Sequence, residues 1–155
     1  LRRAALDAAP APASLADAGR IDVLLGDSMG EMFAWYAMAD VAVLGGSLLP
    51  FGGQNLIEAC AVGVPVVMGP HTFNFDDAAT QAIEAGAALR VADADGAVQH
   101  ALALLDDIPA RTAMSEQARA FAAAHRGATA RTLALLQPWL APIAADEAPA
   151  ASRRA

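Results

Sequence analysis

A chain of 155 residues with a net charge of −7, a pI near 4.7, 56% hydrophobic residues and a mean hydropathy of +0.37 has the length and apolar content of one domain with a sizeable core. Every basic residue is arginine, scattered over an acidic background, which is a poor footprint for nucleic acid. No window reaches the roughly 18 uninterrupted apolar residues of a membrane-spanning helix, so a soluble domain is expected, and the single Cys60 rules out an internal disulfide.

Residues 1–6 read as the end of a helix, and 7–20, rich in Ala, Pro and Ser, as a loop. Residues 21–26 (IDVLLG) form a short apolar run with β-branched members, a predicted strand. Ser28 and Glu31 have capping-box spacing ahead of a helical stripe of Met29, Met32, Phe33, Tyr36 and Ala37. That stripe is most simply core, and its helix ends near Asp40. Residues 41–44 are apolar without alternation, as expected for a strand covered on both faces of a parallel sheet. A glycine-rich loop spans 45–53 (GGSLLPFGG). A short helix follows over 55–62, closed by Gly63, and then a buried strand over 65–68. Residues 69–74 (GPHTFN) form a turn. Residues 75–85 form a helix with Asp76 and Asp77 in its first turn and Gly86 as its stop. A strand over 88–92 precedes three helices. The first, 95–105, carries Val98, Leu102 and Leu105 on one face. The second, opened by Pro109, carries Met114, Ala118, Phe121 and His125. The third, 128–136, ends at Pro138. Residues 141–155 are rich in alanine, proline and charge, and disorder is expected there.

Short buried strands alternating with helices predict an α/β domain over 21–140: a Rossmann-like parallel sheet with flanking helices, preceded by a loop and helix remnant over 1–20. In such sheets ligands gather beyond the carboxyl ends of the strands. Here those ends are 26–31, 45–55 and 69–74, all with glycine and small polar groups, and all leading into helices whose free amides favour phosphate. Glycine-rich loops are also plain turns, so this pattern alone leaves a nucleotide-phosphate site and a set of turns both open. No Cys, His, Asp and Glu cluster has metal-ligand spacing, and there is no P-loop or nucleophile elbow.

Residues 52–67 are more specific. A glycine pair precedes a helix, Glu58 lies within its first two turns, and Gly63-x-Pro65-Val66-Val67 follows. This resembles the donor site of GT-B glycosyltransferases, in which a helix glutamate accepts hydrogen bonds from the ribose hydroxyls. A carboxylate suits that role because it accepts from two neighbouring hydroxyls at once. Five stretches in one order, 26–31 (GDSMGE), 45–50 (GGSLLP), 52–55 (GGQN), 69–75 (GPHTFNF) and 125–128 (HRGA), resemble the Kdo (3-deoxy-D-manno-octulosonic acid) transferases of lipopolysaccharide synthesis, over about 23–136.

The resemblance implies the C-terminal, donor-binding domain of a GT-B enzyme that takes Kdo from CMP-Kdo and adds it to a lipid A precursor at the cytoplasmic face of the inner membrane. It implies inversion at the anomeric centre, no metal and no cofactor. Ser28, Met29 and Gly30 would lie near the nucleotide, and Gly46 and Ser47 near the phosphate and sugar. Gly53, Gln54 and Asn55 would offer helix-start amides to the phosphate, and Glu58 would hold the ribose. Many members have histidine where Gln54 stands, so an acidic or cationic role there is lost. No catalytic residue is assigned, because the family's general base, its acceptor site and its membrane association belong to an N-terminal domain without counterpart here. The family's basic His-Pro segment upstream is also absent. The chain alone is expected to be inactive.

His71 reads equally as a donor neighbour and as a loop histidine bonded to backbone, and Asp27 as a loop acceptor or a sugar contact. Glu31 reads as a cap, His100 as surface and His125 as a packing or capping residue. Two other functions fit the same pattern: another GT-B enzyme, such as a UDP-sugar transferase or epimerase, and a non-catalytic nucleotide-binding module.

Overall fold

A computed structural model of the chain describes residues 22–146. The remnant expected over 1–20 and the last part of the expected tail, 147–155, lie outside the described residues.

The chain alternates strands and helices. Helix α1 is Met32–Met38, strand β1 Ala42–Leu44, helix α2 Ile57–Val62, strand β2 Val66–Met68, helix α3 Asp76–Glu84 and strand β3 Ala88–Arg90. Helices α4 (Ala94–Asp106), α5 (Ile108–Ala124) and α6 (Ala128–Asp146) follow. The three strands pair in parallel in the order β1-β2-β3, with Val67 between Val43 and Leu89. This is the α/β architecture expected from the alternation.

Side chains alternate across the sheet, so it buries two clusters. Ala42, Leu44, Val66, Met68 and Ala88 pack with Leu56, Ala59 and Cys60 of the α2 region, Ala79 and Ala82 of α3, and Ala118, Phe121 and Ala122 of α5. Val67 and Val91 pack on the other side with Ala97 and Leu104 of α4 and Met114 of α5. Small alanines let the helices lie close to the β-branched strands. Gly63 closes α2 in the left-handed conformation, φ 80°, where its amide returns to Ala59 and Cys60. Asp93 and Asp107 cap α4 and α5 by accepting from the amides of Gly96 (2.8 Å) and Ala110 (2.9 Å).

Five expectations are corrected. The run over 21–26 is not a strand of the sheet; within its described part only Leu25 makes an isolated bridge, and the segment is exposed. An apolar run becomes a strand only where it pairs along its length, and a single bridge does not extend into one. The capping box does not form, because the Ser28 hydroxyl bonds the Glu31 carboxylate rather than an amide. The stripe after it is not core: Met29 is 97% exposed, Met32 and Phe33 are half exposed, and only Tyr36 packs on the core. Helix α4 buries Ala97 and Leu104, leaving Val98, Leu102 and Leu105 outside. Helix α6 runs through Pro138 into the expected tail, as far as Asp146. Proline removes one helix hydrogen bond, and the alanine- and leucine-rich flanks favour helix on both sides of it.

Candidate functional site

Beyond the carboxyl ends of β1 and β2, two glycine-rich loops are joined atom to atom. After β1 the chain makes a single 3-10 turn, Gly45–Ser47. Ser47 is fully buried; its Oγ donates to Leu44 O (2.5 Å) and accepts from Gly69 N (2.7 Å). Its carbonyl accepts from His71 N (3.0 Å). One serine thus fixes the turn leaving β1 and the first residues after β2. Gly69 has no room for a side chain: a Cβ would lie 2.4 Å from Ser47 O and 2.7 Å from Leu48 Cα.

The far end of the first loop is held in the same way. Gly53 N donates to Gly46 O (3.3 Å), and Asn74 reaches across with its amide to Gly52 O (3.1 Å) and its Nδ2 to Phe51 O (3.2 Å). Gly52 and Gly53 both have φ in the left-handed region, 88° and 80°, which turns the loop back on itself. Gln54 is exposed and its side chain lies over Gly46, where a Cβ would come within 3.5 Å of it.

Asn55 then starts α2. Its Oδ1 accepts from Ile57 N (3.1 Å), and its Nδ2 donates to Glu58 Oε1 (3.1 Å). The half-buried Glu58 is therefore held from one side, and its second oxygen has no partner among the described residues. Within the same set, the amides of Gln54 and Asn55 make no hydrogen bond. The cluster thus pairs open backbone donors with an oriented carboxylate one turn away, an arrangement suited to a ligand bearing both an anionic group and hydroxyls.

The structure brings Gly46, Ser47, Gly53, Gln54, Asn55 and His71 together, with Glu58 just inside α2. It does not bring in Ser28, Met29 and Gly30. All three are exposed, and no hydrogen bond among the described residues joins them to the two loops. The His71 imidazole is half-buried and bonds no backbone group among the described residues; only its main chain is held. His100 Nδ1 faces Gly96 O (2.8 Å) on an exposed helix face. His125 stacks on Phe121, ring centroids 4.3 Å apart, with its nitrogens at Phe121 O and Gln81 Oε1. Both agree with the structural roles expected of them. No group of three or more His, Cys, Asp or Glu among the described residues is placed to hold a metal.

Sequence reasoning missed two neighbours of the site. Arg90, at the end of β3, donates to Thr72 Oγ1 (2.9 Å), and Thr72 donates to Asp76 Oδ1 (3.0 Å), bracing the second loop from β3. The four-residue spacing of Thr72 and Asp76 across a helix start was the available signal; Arg90 gave none. The second neighbour is Tyr36. Its ring packs on the main cluster, and burial, then the negative charge of Glu58, push its phenol above the ordinary value.

Comparison with known proteins agrees with this architecture. The family model described as "Glycosyl transferases group 1" matches residues 15–121. A 3-deoxy-D-manno-octulosonic acid transferase of Bordetella pertussis is 59% identical over 139 residues, 90% of this chain and 31% of the relative. The transferase of the same name from Haemophilus influenzae is 39% identical over 119 residues, 76% of this chain and 28% of the relative. The chain thus spans about three-tenths of the length of these relatives. Among solved structures, the C-terminal CMP-Kdo binding domain of WaaA from Acinetobacter baumannii is similar with a TM-score of 0.61 and 40% identity, over 64% of this chain and 52% of that one.

Proposed function

The chain belongs to the glycosyl transferases group 1 family, with 3-deoxy-D-manno-octulosonic acid transferases among its relatives, and from that premise we propose that it is the donor-binding part of an enzyme that transfers Kdo from CMP-Kdo to a lipid A precursor. The observation that carries this reading is the junction of the two glycine-rich loops at Ser47 and Gly69, with the open amides of Gln54 and Asn55 on one side and Glu58 on the other. The amides suit the phosphate of CMP, and the free oxygen of Glu58 suits its ribose hydroxyls. His71 lies at the same junction and would face the sugar. Ser47 would serve by fixing the loops, since its hydroxyl is already used in both directions.

In this proposal Ser28, Met29 and Gly30 approach the nucleotide only after the segment before α1 moves or is covered. The chain contributes donor binding; the general base, the acceptor site and the membrane association come from the remainder of the enzyme, at the cytoplasmic face of the inner membrane. No helix among the described residues is long and apolar enough to cross a membrane. Transfer proceeds with inversion and without a metal or cofactor.

Titration calorimetry of the chain with CMP and with UDP tests the reading. CMP should bind at least tenfold more tightly than UDP; equal or tighter binding of UDP would sink it in favour of a UDP-sugar enzyme. Replacing Glu58 by Gln should weaken CMP about 10- to 100-fold, the range for a hydrogen bond to a charged group. Incubation of the chain alone with CMP-Kdo and an acceptor should yield no product.

A further inference from the structure

A second concavity opens at the opposite edge of the sheet, before the amino ends of β1 and β2. It is a cleft of about 350 Å³ between the end of α1, the turn from α2 into β2 and one face of α5. Arg111, Ser115 and Arg119 line it at four-residue spacing, so α5 presents them as one row. The walls are tied in place. Ser115 Oγ donates to Gly63 O (2.5 Å), and Arg111 Nη1 donates to Leu104 O (3.3 Å) and Leu105 O (2.8 Å). Arg111 also pairs with Asp40 (3.5 Å), so these two charges offset each other. Arg119 is different: it is exposed, and among the described residues it makes no hydrogen bond and no ion pair. Its guanidinium lies over Gly63, where a Cβ would come within 2.4 Å of Nε and of Cζ and 2.7 Å of Nη2. Those near-equal distances set the glycine against the flat face of the group. Its N–H bonds lie in the plane, so the donors point sideways and stay open. Two arginines and one aspartate leave the cleft one net positive charge, in a chain of net −7.

We propose that this cleft is a second ligand site, for the phosphate ester of a small polyol or sugar. The open fork of Arg119 matches two oxygens of a phosphate, and Arg111 and Asp40 cancel beside it, so the anion meets an uncompensated cation. The volume is far more than one phosphate fills, and lies within the range of about 300–1,000 Å³ of small-molecule pockets. The rest of the lining says what the remainder of the ligand carries. The Thr112 hydroxyl and the second carboxylate oxygen of Asp40 have no partner among the described residues, and both suit ligand hydroxyls. An apolar ligand would cover these groups and the guanidinium without pairing them, at a desolvation cost. Gly63 has two uses here: it ends α2 in the left-handed conformation, and its bare Cα seats the guanidinium. The cleft lies at the other end of α2 from Asn55 and Glu58, so the inference does not depend on what those residues bind.

Amide and arginine side-chain spectra of the isotope-labelled chain, titrated at constant ionic strength with glucose 6-phosphate, glucose and inorganic phosphate, test the site. Glucose 6-phosphate should shift the signals of Gly63, Ser115 and Arg119 and leave those of Gln54 and Asn55 in place. It should bind at least about tenfold more tightly than inorganic phosphate, and glucose should not bind up to about 10 mM. Arg119→Gln should weaken the ester about 10- to 100-fold, with thermal melts as a check on folding. Arg126→Gln removes the same charge from an exposed position outside the cleft, and should change the affinity less than about twofold. Saturating CMP should leave the ester bound. The inference is wrong if the ester leaves the Arg119 signal unmoved, if Arg119→Gln binds it no worse than Arg126→Gln does, or if inorganic phosphate binds equally well. If CMP displaces the ester, the phosphate has gone to the donor edge, and the second site falls while the donor reading stands. If CMP fails to bind while the ester still shifts Arg119, the donor reading falls and the cleft remains.

Discussion

At the scale of single residues, the buried hydroxyl of Ser47 has more depending on it than any charged group near the site. It satisfies Leu44 O and Gly69 N at once, and both lie in the interior. Ser47→Ala would leave a buried amide without a partner, a cost of about 1–3 kcal/mol. Urea unfolding should show that loss as a lower midpoint with an unchanged slope, and CMP affinity should fall with it because the loop junction loosens. Cys60 makes a different residue-scale prediction. Burial pushes its thiol from 9.0 up to about 11, against a small opposing effect of a backbone hydrogen bond. The native chain should resist a thiol reagent at pH 8 and react fully once unfolded. The unfolded thiol ionises near pH 9 while the native one keeps its proton until about 11, so the unfolded state binds fewer protons across that window. Stability is then intact below pH 9 and declines between pH 9 and 11, by about 2–3 kcal/mol in all. Cys60→Ala should flatten that decline, which denaturant curves at pH 8 and pH 10.5 would measure.

At the scale of elements, the site depends on two loops approaching to backbone contact, and Gly69 is the residue that permits it. A methyl group there would meet Ser47 O at 2.4 Å and Leu48 Cα at 2.7 Å, and neither is the far end of a flexible side chain. Gly69→Ala must therefore separate the loops, and a destabilisation of about 1–3 kcal/mol is expected from such overpacking. Ser47→Ala and Gly69→Ala act on one junction, so the double variant should lose less than the sum of the two single ones. Strict additivity in a double-mutant cycle would show that the two residues do not share a contact. The same scale shows what sequence could supply. Strands β1, β2 and β3 were legible within a residue or two as short apolar runs, and Gly63 and Gly86 as stops, because these signals are local. The buried face of α4 was not. Val98, Leu102 and Leu105 form one helical stripe, and Ala97, Ala101 and Leu104 form another one residue earlier. The sheet takes the second, whose smaller residues let the helix approach Val67 and Val91. Glu58 and the glycine pair before it were legible from spacing, whereas Arg90 reaches the second loop only through the placement of β3, which no local pattern encodes.

At the scale of the whole molecule, both faces of the sheet are covered, and β1 lies at one of its edges. Among the described residues strand β1 pairs only with β2, so its outer backbone groups face away from the sheet, and Val43 is 44% exposed. The residues before it add Leu24, Leu25, Met32, Phe33 and Met38, all exposed, on the same stretch of chain. Outside the sheet, α6 adds Leu135 and Trp139, the latter 76% exposed. An exposed edge strand next to apolar side chains is a template for pairing with another chain. The isolated chain should therefore self-associate: sedimentation velocity from about 5 to 200 µM should show a rising mean mass, and an apolar dye should bind at every concentration. Lysine on an edge strand blocks such pairing by its charge and its solvation. Val43→Lys places one at a half-exposed position, so it should hold the chain monomeric at the upper concentration with a stability change under about 1 kcal/mol. The Leu135→Lys variant is the control, since it adds the same charge at an exposed helix position and not on the strand. If it disperses the chain as well as Val43→Lys does, association runs through α6 or through net charge rather than through β1. A chain that stays monomeric and dye-free without any substitution would show instead that the edge is already covered by residues outside 22–146.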